Sequence, residues 1–176
     1  MRWDAEVRAA VARWGPAFGV TIDPALVHAI IQKESSHGDL LVTAEPGGRF
    51  SFGPMMVLDS TAAGMGVKVP SSLSQPAIGI SYGVRYLAQQ LQRYGGRVSD
   101  AVAAYNGGSA RKDAQGRYVN TKGVPVVQAY VDKVLGYWNS YKGQVSAAAA
   151  TAAPVVAVMI AGAALLWFAA RARRAA

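Results

Sequence analysis

Glu34 stands where a carboxylate is hard to accommodate. Leu26, Val27, Ile30 and Ile31 follow one another at i, i+1, i+4 and i+5, the stripe that a helix turns toward the core, and the next positions on it are Glu34 and Ser35. Ionised glutamate is almost never buried unpaired, and desolvation raises its pKa, so the acid stays protonated toward neutral pH. A carboxyl in that state can protonate a leaving group, which is the work of a general acid. The same pattern also suits a glutamate at a helix end that reaches solvent or pairs with an arginine. Asp39, Glu45 and Asp59 lie close behind and could supply a second carboxylate, if the chemistry needed water activated opposite the acid. None of them interrupts an apolar stripe. The chain has no cysteine, hence no thiol nucleophile, disulfide frame or thiolate site. Two histidines, His28 and His37, do not make a zinc site, so neither metal nor cofactor is expected.

The elements that must hold Glu34 are helical. Asp23-Pro24 reads as N-cap and first helical residue, and this helix runs to about His37 with Gly38 behind it. Before it, Trp3, Val7, Val11 and Trp14 mark a helix over Asp4–Trp14 that stops at Gly15-Pro16. Residues 39–59 carry Pro46-Gly47-Gly48 and Gly53-Pro54, and read as loop or a short, poorly formed sheet. A short helix comes next, around Ser60–Gly64. Pro76–Tyr94 carries Ile80, Val84, Leu87 and Leu91 on one stripe, closed by Gly95-Gly96. Ser99 is expected to cap a short apolar helix through Tyr105, Gly107–Lys122 to be loop or a small hairpin, and Val124–Tyr141 to be a last helix. There is no internal repeat. The fold class is mainly α, with five or six helices and little strand.

Four segments in order carry a resemblance: Ala29-Ile-Ile-Gln-Lys-Glu-Ser-Ser36, Ser51-Phe-Gly-Pro-Met-Met56 with Ser60-Thr-Ala62, Ala103-Ala-Tyr-Asn-Gly-Gly108, and Ala129-Tyr-Val-Asp-Lys-Val134. Together they resemble the motifs of the soluble lytic transglycosylases, in the lysozyme-like superfamily that includes goose-type lysozymes. The likeness covers roughly residues 20–140, and Tyr86-Leu87 is similar to a step in a further helix of that family. It implies that Glu34 protonates the β-1,4 glycosidic oxygen between N-acetylmuramic acid and N-acetylglucosamine. The substrate's acetamido group then stabilises the cation-like centre without a second carboxylate. Glu34, now a base, activates the muramic 6-hydroxyl and gives a 1,6-anhydro product. By the same resemblance Tyr105 and Asn106 flank Glu34 and hold the acetamido group, Tyr130 positions that group or Glu34, and Ser51, Met55 and Met56 line the glycan groove. Core packing is the alternative for Tyr105, Tyr130 and Met55. One departure stands out: Gly53-Pro54-Met55-Met56 replaces the usual Gly-Leu-Met-Gln, which removes a backbone donor and a groove amide. Alternatives to the transglycosylase are a lysozyme-type hydrolase with Asp39 or Glu45 as base, and a non-catalytic wall-binding protein.

The apolar fraction, 52%, is concentrated at one end. Val145–Ala170 holds no charge, Pro154–Ala170 suits a membrane-spanning helix whose start lies near 147, and Trp167 precedes Arg171, Arg173 and Arg174. The expected organisation is therefore a domain over 1–142, an Ala-rich linker over 143–153, a span over 154–170 and a basic tail over 171–176. The arginine cluster places the tail on the cytoplasmic side and the domain outside. Residues 1–146 carry 15 Lys+Arg against 10 Asp+Glu, which suits an anionic wall polymer or membrane face. These charges are scattered without interleaved aromatics, so no nucleic acid is expected. Met1-Arg2-Trp3-Asp4 leads into an amphipathic pattern without the roughly 7–15-residue apolar core of a secretory signal. Together with the resemblance, this implies the internal membrane of a bacteriophage particle as the expected setting, among other virion membrane proteins, with local wall opening during genome entry. A bacterial inner membrane with a periplasmic domain is the alternative.

Overall fold

A computed structural model of the chain describes residues 1–144. Its contacts divide the chain between Tyr141 and Lys142, and Met1–Tyr141 is one compact unit. Among the described residues no helix is long and apolar enough to cross a membrane. The expected span over 154–170, its start near 147 and the basic tail lie outside them.

Six α-helices, a short 3-10 helix and one small sheet make up the described residues: α1 Asp4–Phe18, α2 Pro24–Ser35, β1 Val42–Glu45, β2 Arg49–Phe52, β3 Val57–Leu58, α3 Asp59–Gly64, the 3-10 turn Pro70–Ser74, α4 Pro76–Arg93, α5 Val98–Gly107, and α6 over 126–144. The fold is mainly helical, as expected. α6 continues two residues into the stretch expected as linker.

Helix α2 runs through the core. Asp23 caps it, its side chain accepting from the Ala25 N–H at 2.8 Å, and Pro24 opens its first turn. Every residue from Ala25 to Ile31 is buried, not only the expected stripe, because helices pack on it from several sides. His28 also points inward, and its Nε2 lies 3.1 Å from Asp4 Oδ1 on α1. α4 buries Ile80, Val84, Leu87 and Leu91, and α5 buries Ala101 through Ala104 without residual exposure on any of the four alanine and valine side chains. From α6, Val127, Tyr130, Val131 and Val134 join the same core.

Several expectations shift. α1 does not stop at Gly15-Pro16 but continues to Phe18 with Pro16 inside it, and Gly19 ends it in a left-handed conformation. The Val20 N–H then closes on Gly15 O and the Gly19 N–H on Pro16 O, a cap that fixes the last turn despite the proline. α2 ends at Ser35, two residues early, since Ser36 and His37 both take positive φ. Ser99 lies inside α5 rather than capping it; Arg97 holds the cap position, with no side-chain cap bond. Residues 42–58 form a regular antiparallel sheet in the order β1-β2-β3, with Thr43 opposite Ser51 and Glu45 opposite Arg49. Pro46-Gly47-Gly48 makes the first turn, both glycines at positive φ.

Candidate active site

Glu34 sits on the last turn of α2, at the helix end whose exposed carbonyls disfavour added negative charge. Its neighbour Ser35 is buried and ties the helix to the chain beyond it. The Ser35 hydroxyl lies 2.7 Å from Pro54 O and 3.1 Å from Ile31 O, positioned to donate, and accepts from the Gly38 N–H at 2.9 Å. This bonding fixes the segment Gly53–Met56 against the end of α2.

That segment is a tight turn. The Met56 N–H bonds Gly53 O at 3.0 Å, and the Gly53 N–H bonds Leu41 O at 2.8 Å. Pro54 therefore occupies the second turn position, where φ near −65° is wanted and the turn uses no N–H. The donor that proline removes is one the turn does not need. A Cβ on Gly53, at φ 78°, would strike Leu73 O, and a Cβ on Gly79 of α4 would strike the same carbonyl. The turn thus seats backbone against backbone on a glycine shelf of α4. Met55 corrects an expectation: its side chain is fully buried against Gly83 instead of lining the groove. What Met55 offers the site is its carbonyl, which accepts from the Tyr105 hydroxyl at 2.8 Å.

The sheet supplies one wall. Residues i and i+2 of a strand share a face, and here Thr43 and Glu45 of β1 and Arg49 and Ser51 of β2 line one cleft with Glu34. Met56 lines it too, with its sulfur 3.6 Å from the Thr43 hydroxyl. Tyr86, Tyr105, Asn106 and Gly107 form the facing side of this 610 Å³ cleft. The Tyr86 and Tyr105 rings meet at 5.1 Å, tilted by 50°. Of the expected site residues, Glu34, Ser51, Met56, Tyr105 and Asn106 come together here. Tyr130 reaches the same carboxyl from α6, its hydroxyl donating to Glu34 Oε1 at 2.5 Å.

Glu34 keeps partial access to the cleft, yet protein surrounds most of its carboxyl. Burial raises its pKa to about 7; the Tyr130 hydrogen bond and the Lys33 ammonium pull down, and the charge of Glu45 pushes up. Burial holds the Tyr105 and Tyr130 hydroxyls far above the usual tyrosine range, reinforced by Glu34. Both therefore act as neutral donors. The carboxyl is a group that gives and takes a proton near neutrality, in an open cleft, beside fixed polar groups. Residues 17–125 match the Transglycosylase SLT domain family. The chain belongs to that family. It is a peptidoglycan-cleaving lytic transglycosylase, with the lysozyme-like fold of the superfamily.

The matched stretch takes in α2, the sheet, the Gly53–Met56 turn and α5; Tyr130 lies beyond it. The other near carboxylates part company. Asp39 is exposed and pairs with Arg2 at 2.6 Å. Asp59 caps the chain locally, accepting from the Phe50 and Ser60 N–H groups. Glu45 alone of the three enters the cleft, where Ser51 Oγ donates to it at 2.8 Å. Sequence reasoning did not assign Thr43, Arg49 or Tyr86 to the site. The signal was present: Thr43-x-Glu45 and Arg49-x-Ser51 alternate about a glycine turn, the pattern of a hairpin with one polar face. Among the described residues no cluster of His, Asp and Glu could hold a metal ion.

Proposed function

We propose that this transglycosylase cleaves the β-1,4 bond between N-acetylmuramic acid and N-acetylglucosamine and leaves a 1,6-anhydro end. The reading rests on one observation: a carboxyl with a pKa raised to about 7, bonded by the Tyr130 hydroxyl, at an open cleft. Protonated Glu34 gives its proton to the glycosidic oxygen as the bond breaks. The resulting carboxylate is hydrogen-bonded by Tyr130 and then takes the proton of the muramic 6-hydroxyl as that oxygen closes on C1. Asn106 and the Tyr105 ring flank the acetamido group that supports C1, while Ser51 and Met56 border the strand along the sheet. Met55 acts only through its backbone.

A second reading has its own support. Glu45 lies in the cleft and is held by Ser51, so a water between Glu45 and C1 would give hydrolysis. Asp39 pairs with Arg2 at the surface and does not line the cleft. Mass spectrometry of digested peptidoglycan separates the two: anhydro ends support transglycosylation, and reducing ends support hydrolysis. Glu34→Gln abolishes either product, and a folded Glu34→Gln protein with full activity overturns both.

The setting we assign is a membrane, through the apolar stretch 147–170 and the arginines behind it. A catalytic domain followed by such a segment suits a muralytic protein of a phage particle's internal membrane, opening the wall locally for genome entry. Its neighbours there would be other virion membrane proteins. Abundance in uninfected cells together with absence from purified particles would overturn that assignment.

A further inference from the structure

A second groove of 590 Å³ lies between the end of α2 and one face of α6. Gln32 and Lys33 border it from α2, and Tyr130, Lys133 and Tyr137 from α6. Asn106 lines both this groove and the catalytic cleft, so the two share a wall. Tyr130 is common property in another sense: it borders the groove while its hydroxyl holds Glu34. A ligand in this groove therefore lies one side chain away from the reacting carboxyl.

The charge of the groove has one sign. Lys33 and Lys133 line it, no carboxylate does, and among the described residues neither ammonium has an ion-pair partner. Lys33 lies over the Tyr130 ring at 5.2 Å, which holds its charge at the groove's inner side. Lys133 is exposed on the α6 face opposite. Two cations without an ion-pair partner across this groove favour an anion there.

We infer that the α2–α6 groove is a carboxylate subsite, which takes the acidic substituent of a muramyl residue next to the bond being cleaved. The inference rests on the proposed glycan cleavage and adds a substrate preference to it: strands that carry carboxylates near the scissile bond over neutral ones. Two sources share this chemistry. A strand with intact stems offers peptide carboxylates, whereas a strand stripped of its stems by an amidase offers the free lactyl carboxylate.

The test is direct binding of soluble strand fragments to the full chain carrying Glu34→Gln, so that no cleavage intervenes. Three probes are compared: intact strands, amidase-stripped strands, and intact strands whose carboxylates have been converted to primary amides. Intact strands should bind about tenfold more tightly than amidated ones, and Lys133→Gln should shrink that ratio about threefold, as expected for a partly exposed ion pair. Replacing both lysines should bring the ratio near one, as should raising the salt well above physiological strength. Stripped strands that match the intact ones assign the lactyl carboxylate, and those that match the amidated ones assign the stem. Equal binding of intact and amidated strands, or a preference that survives loss of both lysines, overturns the subsite. Cleavage by the unmutated chain is read separately. A charge preference without cleavage would keep the subsite and sink the catalytic reading.

Discussion

At neutral pH Glu34 lies between its two protonation states, and this has a consequence for stability as well as for rate. Below its ordinary value of 4.5 the group is protonated whether the chain is folded or not. As pH rises the unfolded chain ionises first, while the folded chain must finally bear a desolvated carboxylate above about 7. The native state therefore loses stability across that window, on the order of 2–3 kcal/mol after allowance for the group's partial exposure. Glu34→Gln should melt above the unmodified protein at pH 8, with the gap closing toward pH 4; calorimetry at the two pH values checks it. The rate should follow the acid form, so kcat/KM falls as pH rises through about 7. Tyr130→Phe removes a bond that lowers the Glu34 pKa, so the falling limb should move to higher pH, with a loss on the order of tenfold in kcat from poorer placement of the carboxyl. A limb that stays where it was would reduce Tyr130 to packing.

Between α2 and α4 the decisive contact is the Gly53–Met56 turn on its shelf. Gly79→Ala forces a methyl into Leu73 O and the Pro54 ring, neither of which can swing aside, and should cost about 1–3 kcal/mol. Gly83→Ala meets Met55, whose sulfur at 2.5 Å can turn away but whose Cβ at 2.6 Å is carried by the turn, so it is destabilising too, by less than the clash of Gly79→Ala with a main-chain carbonyl. Urea unfolding midpoints should rank the two, with Gly79→Ala the lower. These elements also mark what the sequence could tell. The stripe of α4 was readable because its burial follows the helical period over three turns or more, and that of α2 because its apolar residues keep the period even though burial there is unbroken from Ala25 to Ile31. The end of α1 was not, because the Gly19 cap offsets a proline that reads locally as a stop. The hairpin was half readable: its strands hold four residues each, and their alternation is polar on the cleft side. Glu34 announced itself by breaking a stripe. Met55 misled because a motif transfers a position in the chain and not the direction of a side chain.

For the molecule as a whole, the compact unit closes at Tyr141, which still packs against the core together with Leu135, Tyr137 and Trp138 of α6. A chain cut after Ser146 should remain folded and cleave peptidoglycan, and it should not partition into detergent, whereas the proposed membrane setting requires that the full chain does. Size-exclusion chromatography, a melting curve and phase partitioning check this. Precipitation of the shortened chain would mean that later residues complete the fold. Its net charge, from 15 basic and 10 acidic side chains, remains positive, so retention on an anionic wall should persist without the apolar segment and weaken with salt.

The turn at Gly53–Met56 is gripped by its carbonyls, Pro54 O from Ser35 and Met55 O from Tyr105. Main-chain atoms are the same whichever residue bears them. A library randomised at 54 and 56 should therefore contain many well-folded members, those with β-branched residues at 56 excepted because Met56 holds a φ of 45°, whereas one randomised at 53 and 79 should contain almost none. An engineer could thus rewrite the cleft-facing side chain at 56 and leave the scaffold that carries the acid untouched.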